Sequence, residues 1–218
     1  MRVHMIVEGP TEETFVNDVL KRWLGERGVS ADARLVATSP RSRGGMTTYV
    51  KACRDIVHWM REDQSAHFTT MFDYYGLPPD WPGRHDPAGE TDALARVCLL
   101  EAALAADVNS PRFVPYLQLY EFEALLLAQP NALLGPHPEA TDAVAALSEV
   151  VARAGGPELV DDGPETHPSK RIEALIPKYQ KPVSGPAAAA AIGIDRMRQA
   201  CPHFNDWIER LIALRSQP

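Results

Sequence analysis

Cysteine is scarce in this sequence. Among 218 residues there are only Cys53, Cys98 and Cys201, far apart and odd in number. No CxxC pair occurs, which argues against a disulfide framework and against a structural zinc site. Each cysteine reads instead as a small buried hydrophobe. Long apolar runs are missing too: none approaches the roughly 20 residues a helix needs to cross a bilayer. The stretch from Met1 to Gly9 is too briefly apolar for a signal peptide, so a cytoplasmic protein is expected. Nor is there an excess of positive charge. Lys plus Arg number 22 against 29 Asp plus Glu, a formal net charge of -7. That excludes a surface built to coat nucleic acid. It leaves room for a local basic patch, and for a site where metal ions bridge carboxylates to phosphate.

Several signatures are absent as well. There is no GxxxxGK[ST] phosphate loop, no GxGxxG, no GxSxG elbow, no HExxH, and no HxE paired with PCxxC. The chain itself therefore does not read as an ATPase, a dinucleotide enzyme, an elbow-type hydrolase or a zinc hydrolase. The histidines form no ligand pattern. His85, His137 and His167 fall in loops and His203 near a helix start, so structural or solvent-facing roles are expected for them.

What remains is ordinary globular material, 45% hydrophobic and 23% charged, long enough to bury a sizeable core. Arg2 to Val7 reads as a buried strand, broken at Gly9-Pro10, with Thr11 as N-cap and Glu12 and Glu13 in the first turn of a helix. Phe15, Val16, Val19, Leu20, Trp23 and Leu24 keep helical spacing up to a stop at Gly28. Further strands are expected over 33–37, 67–72 (ending at Asp73) and 112–119. Helices are expected over 46–63 and 90–107, with an apolar helical stretch over 121–127. Polar Arg- and Gly-containing residues 39–45 and Pro- and Gly-rich residues 74–89 read as loops. This β-α alternation predicts an α/β fold: a mostly parallel four-stranded sheet flanked by helices, with sites at the carboxyl ends of its strands. Beyond residue 130 helices are expected over 140–154, 169–176 and 186–214. Residues 131–218 thus read as a helical C-terminal extension packed on an α/β domain of residues 1–130.

Glu8, followed by Gly9, ends the first strand, and Asp73 ends the third. Carboxylates at equivalent ends of parallel strands converge, repel each other and favour a hard divalent cation, magnesium or manganese, that also binds phosphate. Glu121 and Glu123 follow the fourth strand. Their spacing puts them on one side if extended and on roughly opposite sides if helical. Glu12 is a further candidate ligand. Ser169, Lys170 and Arg171 at a helix start, with Lys181 beyond, form a compact unit suited to phosphate. The bland alternative for that unit is a solvated helix start paired with Asp161, Asp162 or Glu165. Arg41 and Arg43 read as a charged surface loop.

Val7-Glu8-Gly9-Pro10-Thr11-Glu12 resembles the first motif of the toprim fold of topoisomerases and primases, and Phe72-Asp73-Tyr74-Tyr75 resembles its second, Asp-x-Asp motif, with Tyr75 in place of the second aspartate. A longer pattern is similar to the domain-of-unknown-function family 4276. Its pieces are Val7-Glu8-Gly9, Asp73 to Pro78, Leu119 to Leu126, Pro168 to Ile172 and Cys201 to Phe204. The resemblance implies a toprim-like core with Glu8 and Asp73 as metal-linked acids. It also implies kinship with nuclease subunits that partner ABC- or SMC-type ATPases in defence operons. The expectation that follows is a magnesium-dependent nuclease or phosphoryl-transfer enzyme acting on DNA or RNA. The alternatives are a non-catalytic scaffold or sensor subunit and, more weakly, a phosphatase with Asp73 as nucleophile.

Overall fold

The computed structural model describes residues 1–36, 48–84, 92–160 and 166–216. The loop expected over 39–45, with Arg41 and Arg43, lies outside these residues, as do His85, Asp161, Asp162 and Glu165. Strand β1 (Arg2–Val7) is buried on both faces beyond Arg2, as suits a central parallel strand, with Val3, Met5 and Val7 on one face and His4 and Ile6 on the other. It pairs in parallel with β2 (Ser30–Leu35) on one side and β3 (His67–Asp73) on the other. β4 (Phe113–Val114) and β5 (Leu117–Gln118) both pair in parallel with β3, giving the order β2-β1-β3-β4 with β5 also on β3.

The single strand expected over 112–119 is thus broken. Pro115 has no N–H to give the ladder. At Tyr116 the Thr70 hydroxyl enters instead, accepting from the Tyr116 N–H and donating to its carbonyl, each at 2.9 Å.

Between β1 and β2 runs a helix in three pieces: α1 (Pro10–Phe15), a π-type segment over Val16–Leu20, and α2 (Lys21–Gly25). Its N-cap is Gly9 and not Thr11, because Pro10 takes the first helical position it favours. Thr11 is buried instead. Helices α3 (Tyr49–Glu62) and α4 (Ala93–Val108) cover the opposite face of the sheet. Asp92 caps α4 through the N–H groups of Leu94 and Ala95. Leu77 and Trp81, from the segment read as a loop, are buried in that same layer.

Short α5 (Glu123–Leu126) follows β5, and α6 (Thr141–Ala154) and α7 (Pro168–Leu175) come next. The long helix expected over 186–214 is three helices: α8 (Lys181–Ile192), α9 (Ile194–Ala200) and α10 (Pro202–Ala213). Gly193, at φ 76°, and Pro202 make the breaks.

Val3, Met5 and Val7 of β1 share one continuous apolar cluster with Phe15, Ile172, Ala188, Phe204 and Trp207. The C-terminal helices therefore complete the core on one face of the sheet. One close approach is at Gly185 of α8. A Cβ there would stand 3.1 Å from the Tyr179 hydroxyl, 3.3 Å from Phe122 Cε1 and 3.4 Å from Thr11 Cγ2. Of the cysteines Cys201 is buried and Cys53 half-buried, but Cys98 is exposed on the outer face of α4, against expectation. No helix among the described residues is long and apolar enough to cross a membrane.

Candidate acidic site at the carboxyl edge of the sheet

Glu8 and Asp73 leave the carboxyl ends of adjacent parallel strands, where Val7 is in register with Met71. The Glu8 carboxylate lies over the backbone of Gly76. A Cβ on that glycine would stand 2.9 Å from Oε2 and 3.3 Å from Oε1. Oε1 is buried and accepts no hydrogen bond. Burial, with Glu12 nearby, pushes the Glu8 carboxyl up to about 8. Asp73 Oδ1 accepts from the N–H of Phe122 at 2.9 Å. Its carboxyl is nonetheless held well above the usual range, first by burial and then by the charges of Glu12, Glu8, Glu123 and Glu121. Glu12 sits in the first turn of α1 and is itself raised by burial. The N–H groups of Gly9 and Glu12 and the Lys181 ammonium oppose that shift.

The sequence left open which of Glu121 and Glu123 reaches the site, and the structure brings in both. Tyr120, at φ 62°, turns the chain out of β5. Glu121 Oε2 accepts from the N–H of Ser169 at 3.0 Å and lies 3.0 Å from His167 Nδ1. Burial would raise the Glu121 carboxyl, but Lys181, Ser169 and His167 outweigh it and hold it below its ordinary value. Glu123 is almost wholly buried, and burial pushes it up to about 7 despite Lys181. Its Oε1 accepts from the Tyr179 hydroxyl at 3.2 Å. Lys181 Nζ lies 3.7 Å from Glu121 and 3.5 Å from Glu123. Those two charges and Asp73 hold it protonated against the effect of burial.

The basic unit divides. Lys181 joins the acids because α8 docks closely through Gly185, and Ser169 joins them through its backbone N–H. Lys170 instead pairs with Glu173 on its own helix at 3.0 Å, in the manner of a solvated helix start. The Arg171 guanidinium donates to the carbonyl of Thr166. Tyr75, where the second aspartate of the resembled motif would stand, is packed among Tyr74, Tyr120 and His167.

Tyr179, beside the basic unit in sequence, belongs to the site, as do His167 and Gly76, to which the sequence assigns no site role. For His167 a signal existed, two residues before Ser169. Gly76 carried none, since nothing in a sequence tells which side chain will lie over a glycine. Among the other histidines, His137 is buried with Nε2 2.9 Å from the Ser184 hydroxyl, and His203 is buried against Glu101 at 3.1 Å. A separate open groove of about 730 Å³, lined by Tyr49, Cys53, Arg54 and Asp107 among others, shares no residue with this site.

Chemically, these are hard oxygen donors beside the Lys181 ammonium, in surroundings that push the carboxyls of Glu8, Glu12, Asp73 and Glu123 above their ordinary range. Such a donor set suits magnesium or manganese. The orphaned Oε1 of Glu8 is a buried acceptor without a donor, which fits a cation at that point. Among the described residues no three His, Cys, Asp or Glu side chains stand in ready-made ligand geometry.

No curated protein and no solved structure matches this chain. Residues 7–212, nearly its whole length, match the family described as Domain of unknown function (DUF4276), and the chain belongs to that family.

Proposed function

We propose that this protein is a magnesium- or manganese-dependent nuclease, or a closely related phosphoryl-transfer enzyme, acting on DNA or RNA. The support is the gathering of Glu8, Glu12, Asp73, Glu121 and Glu123 around Lys181 at the carboxyl edge of a parallel sheet, with Glu8 Oε1 buried and unpartnered. Burying so many acids together costs stability, and a cation would offset that cost. Glu8 and Asp73 would hold the cation, with Glu12, Glu121 or Glu123 completing the set. A bound magnesium ion supplies Lewis-acid polarisation of the phosphate and a more acidic bound water. Lys181 offsets part of the carboxylate charge, chiefly that of Glu121 and Glu123. Glu123, which burial raises to about 7 against the pull of Lys181, can hold or release a proton near neutral pH.

The resemblance to toprim proteins adds the wider setting: a cytoplasmic subunit of a prokaryotic defence system with an ABC- or SMC-type ATPase partner. The test is single-turnover cleavage of labelled DNA and RNA with magnesium, with and without the ATPase and ATP. Wild type should cleave, while Glu8→Gln and Asp73→Asn should not. Equal inertness of all three under every condition would remove the nuclease reading.

Tyr75 favours a second reading. A tyrosine surrounded by rings, where the resembled motif has an acid, suits a scaffold or sensor subunit that keeps the fold without the chemistry. On that reading manganese produces no anomalous density at Glu8 and Asp73.

A further inference from the structure

A row of rings borders the carboxylates. Tyr75 stacks on Tyr74, with centroids 5.7 Å apart and planes at 28°. It lies 5.4 Å from Tyr120 at 34°, and 5.4 Å from His167 at 58°. Tyr75 nevertheless leaves 37% of its surface in solvent. The rings meet the acidic site at two points. Gly76, next to Tyr75, lies under the Glu8 carboxylate, and His167 Nδ1 is 3.0 Å from Glu121.

Tyr120 stands at φ 62°, in the left-handed region where glycine is the easier residue. What glycine could not supply there is a ring. The same residue's carbonyl accepts from the N–H of Tyr75 at 3.2 Å, so the strained turn also positions the exposed ring.

We infer that Tyr75, backed by Tyr74, Tyr120 and His167, is a stacking platform for an unpaired base of single-stranded nucleic acid, next to the phosphate that a cation on Glu8 and Asp73 would hold. This rests on the nuclease reading and narrows its substrate. A base inside a duplex already has both faces covered, whereas an unpaired base offers a face to an aromatic ring. Every base has such a face, so the platform reads strandedness and not sequence.

The probe is a labelled single-stranded oligothymidylate, compared with its duplex on oligodeoxyadenylate. Binding to the full chain is followed by fluorescence anisotropy, with calcium replacing magnesium to hold off cleavage. Wild type should prefer the single strand. Tyr75→Ala should weaken that binding roughly 10-fold, and Tyr75→Phe and Tyr75→Trp should retain it. Tyr75→Leu, which keeps apolar contact but lacks a π-face, should behave like the alanine variant and covers the case in which Tyr75→Ala misfolds. Wild-type affinity in both Tyr75→Ala and Tyr75→Leu, or tighter binding of the duplex, would overturn the platform. Manganese calorimetry on the same samples separates the two readings. A wild type that binds manganese but not the single strand loses the platform alone. One that binds neither loses the nuclease reading and the platform with it.

Discussion

The N–H of Phe122 donates to Oδ1 of Asp73 at 2.9 Å, tying the chain beyond β5 to the end of β3. That bond draws the flanking Glu121 and Glu123 to the edge where Glu8 already lies. The site is therefore assembled by backbone as much as by side chains, and its acids are held near one another whether or not a cation is bound.

Glu8 carries a pH signature. Its carboxyl rises from 4.5 to about 8 on folding. Between those values the folded state binds more protons than the unfolded chain, so this group's contribution to stability falls as pH rises through that window and is lowest above about 8. Glu8→Gln should therefore raise the melting temperature of the metal-free protein, by more at pH 8 than at pH 5. Each kcal/mol released corresponds to roughly 2–4 °C. Calorimetric melting of both proteins across that range checks it; an equal or lower melting temperature for the variant at pH 8 would contradict it.

Gly76→Ala probes the cradle under Glu8. The added Cβ would fall 2.9 Å from Oε2, closer than real contacts allow, while Gly76 is exposed and needs no left-handed backbone. The fold should survive and the carboxylate should move. Manganese affinity should drop about 10-fold or more, as for losses of residues that orient a ligand. Unchanged affinity would show that Glu8 does not need this seat.

Lys181→Met removes the ammonium shared by Glu121 and Glu123. The lysine side chain is partly open to solvent, so the loss should be about 1–2 kcal/mol, below that of a fully buried pair. It should grow between pH 6 and pH 8, because Glu123 ionises near 7 and is left uncompensated only when charged. Urea denaturation at both values reads this directly; a loss independent of pH would mean that Glu123 does not change its charge state between them.

Much of this was legible in the sequence, for physical reasons. β1 and β3 announce themselves as short apolar runs ended by an acid, and parallel strands place those acids at one edge. The family could be named because its pieces are spread along the chain. What escaped was long-range. The break between β4 and β5 depends on the Thr70 hydroxyl, 46 residues from Tyr116. Lys181 and Lys170 look alike as basic residues near helix starts, yet only Lys181 reaches the acids, because Gly185 lets α8 press against Thr11 and Phe122. The role of His167 depends on Glu121, whose position is set by Phe122 and Asp73 and not by its neighbours in sequence.

Isothermal titration of manganese into wild type, Glu8→Gln and Asp73→Asn, in buffers of different ionisation heat, tests the central claim most directly. The account predicts that wild type binds the ion with release of protons, more tightly at pH 8 than at pH 6, because carboxyls held above their ordinary range must give up protons to bind it. Both variants should lose that binding. A wild type that takes up no manganese, or variants that bind it as well as wild type, would contradict the account.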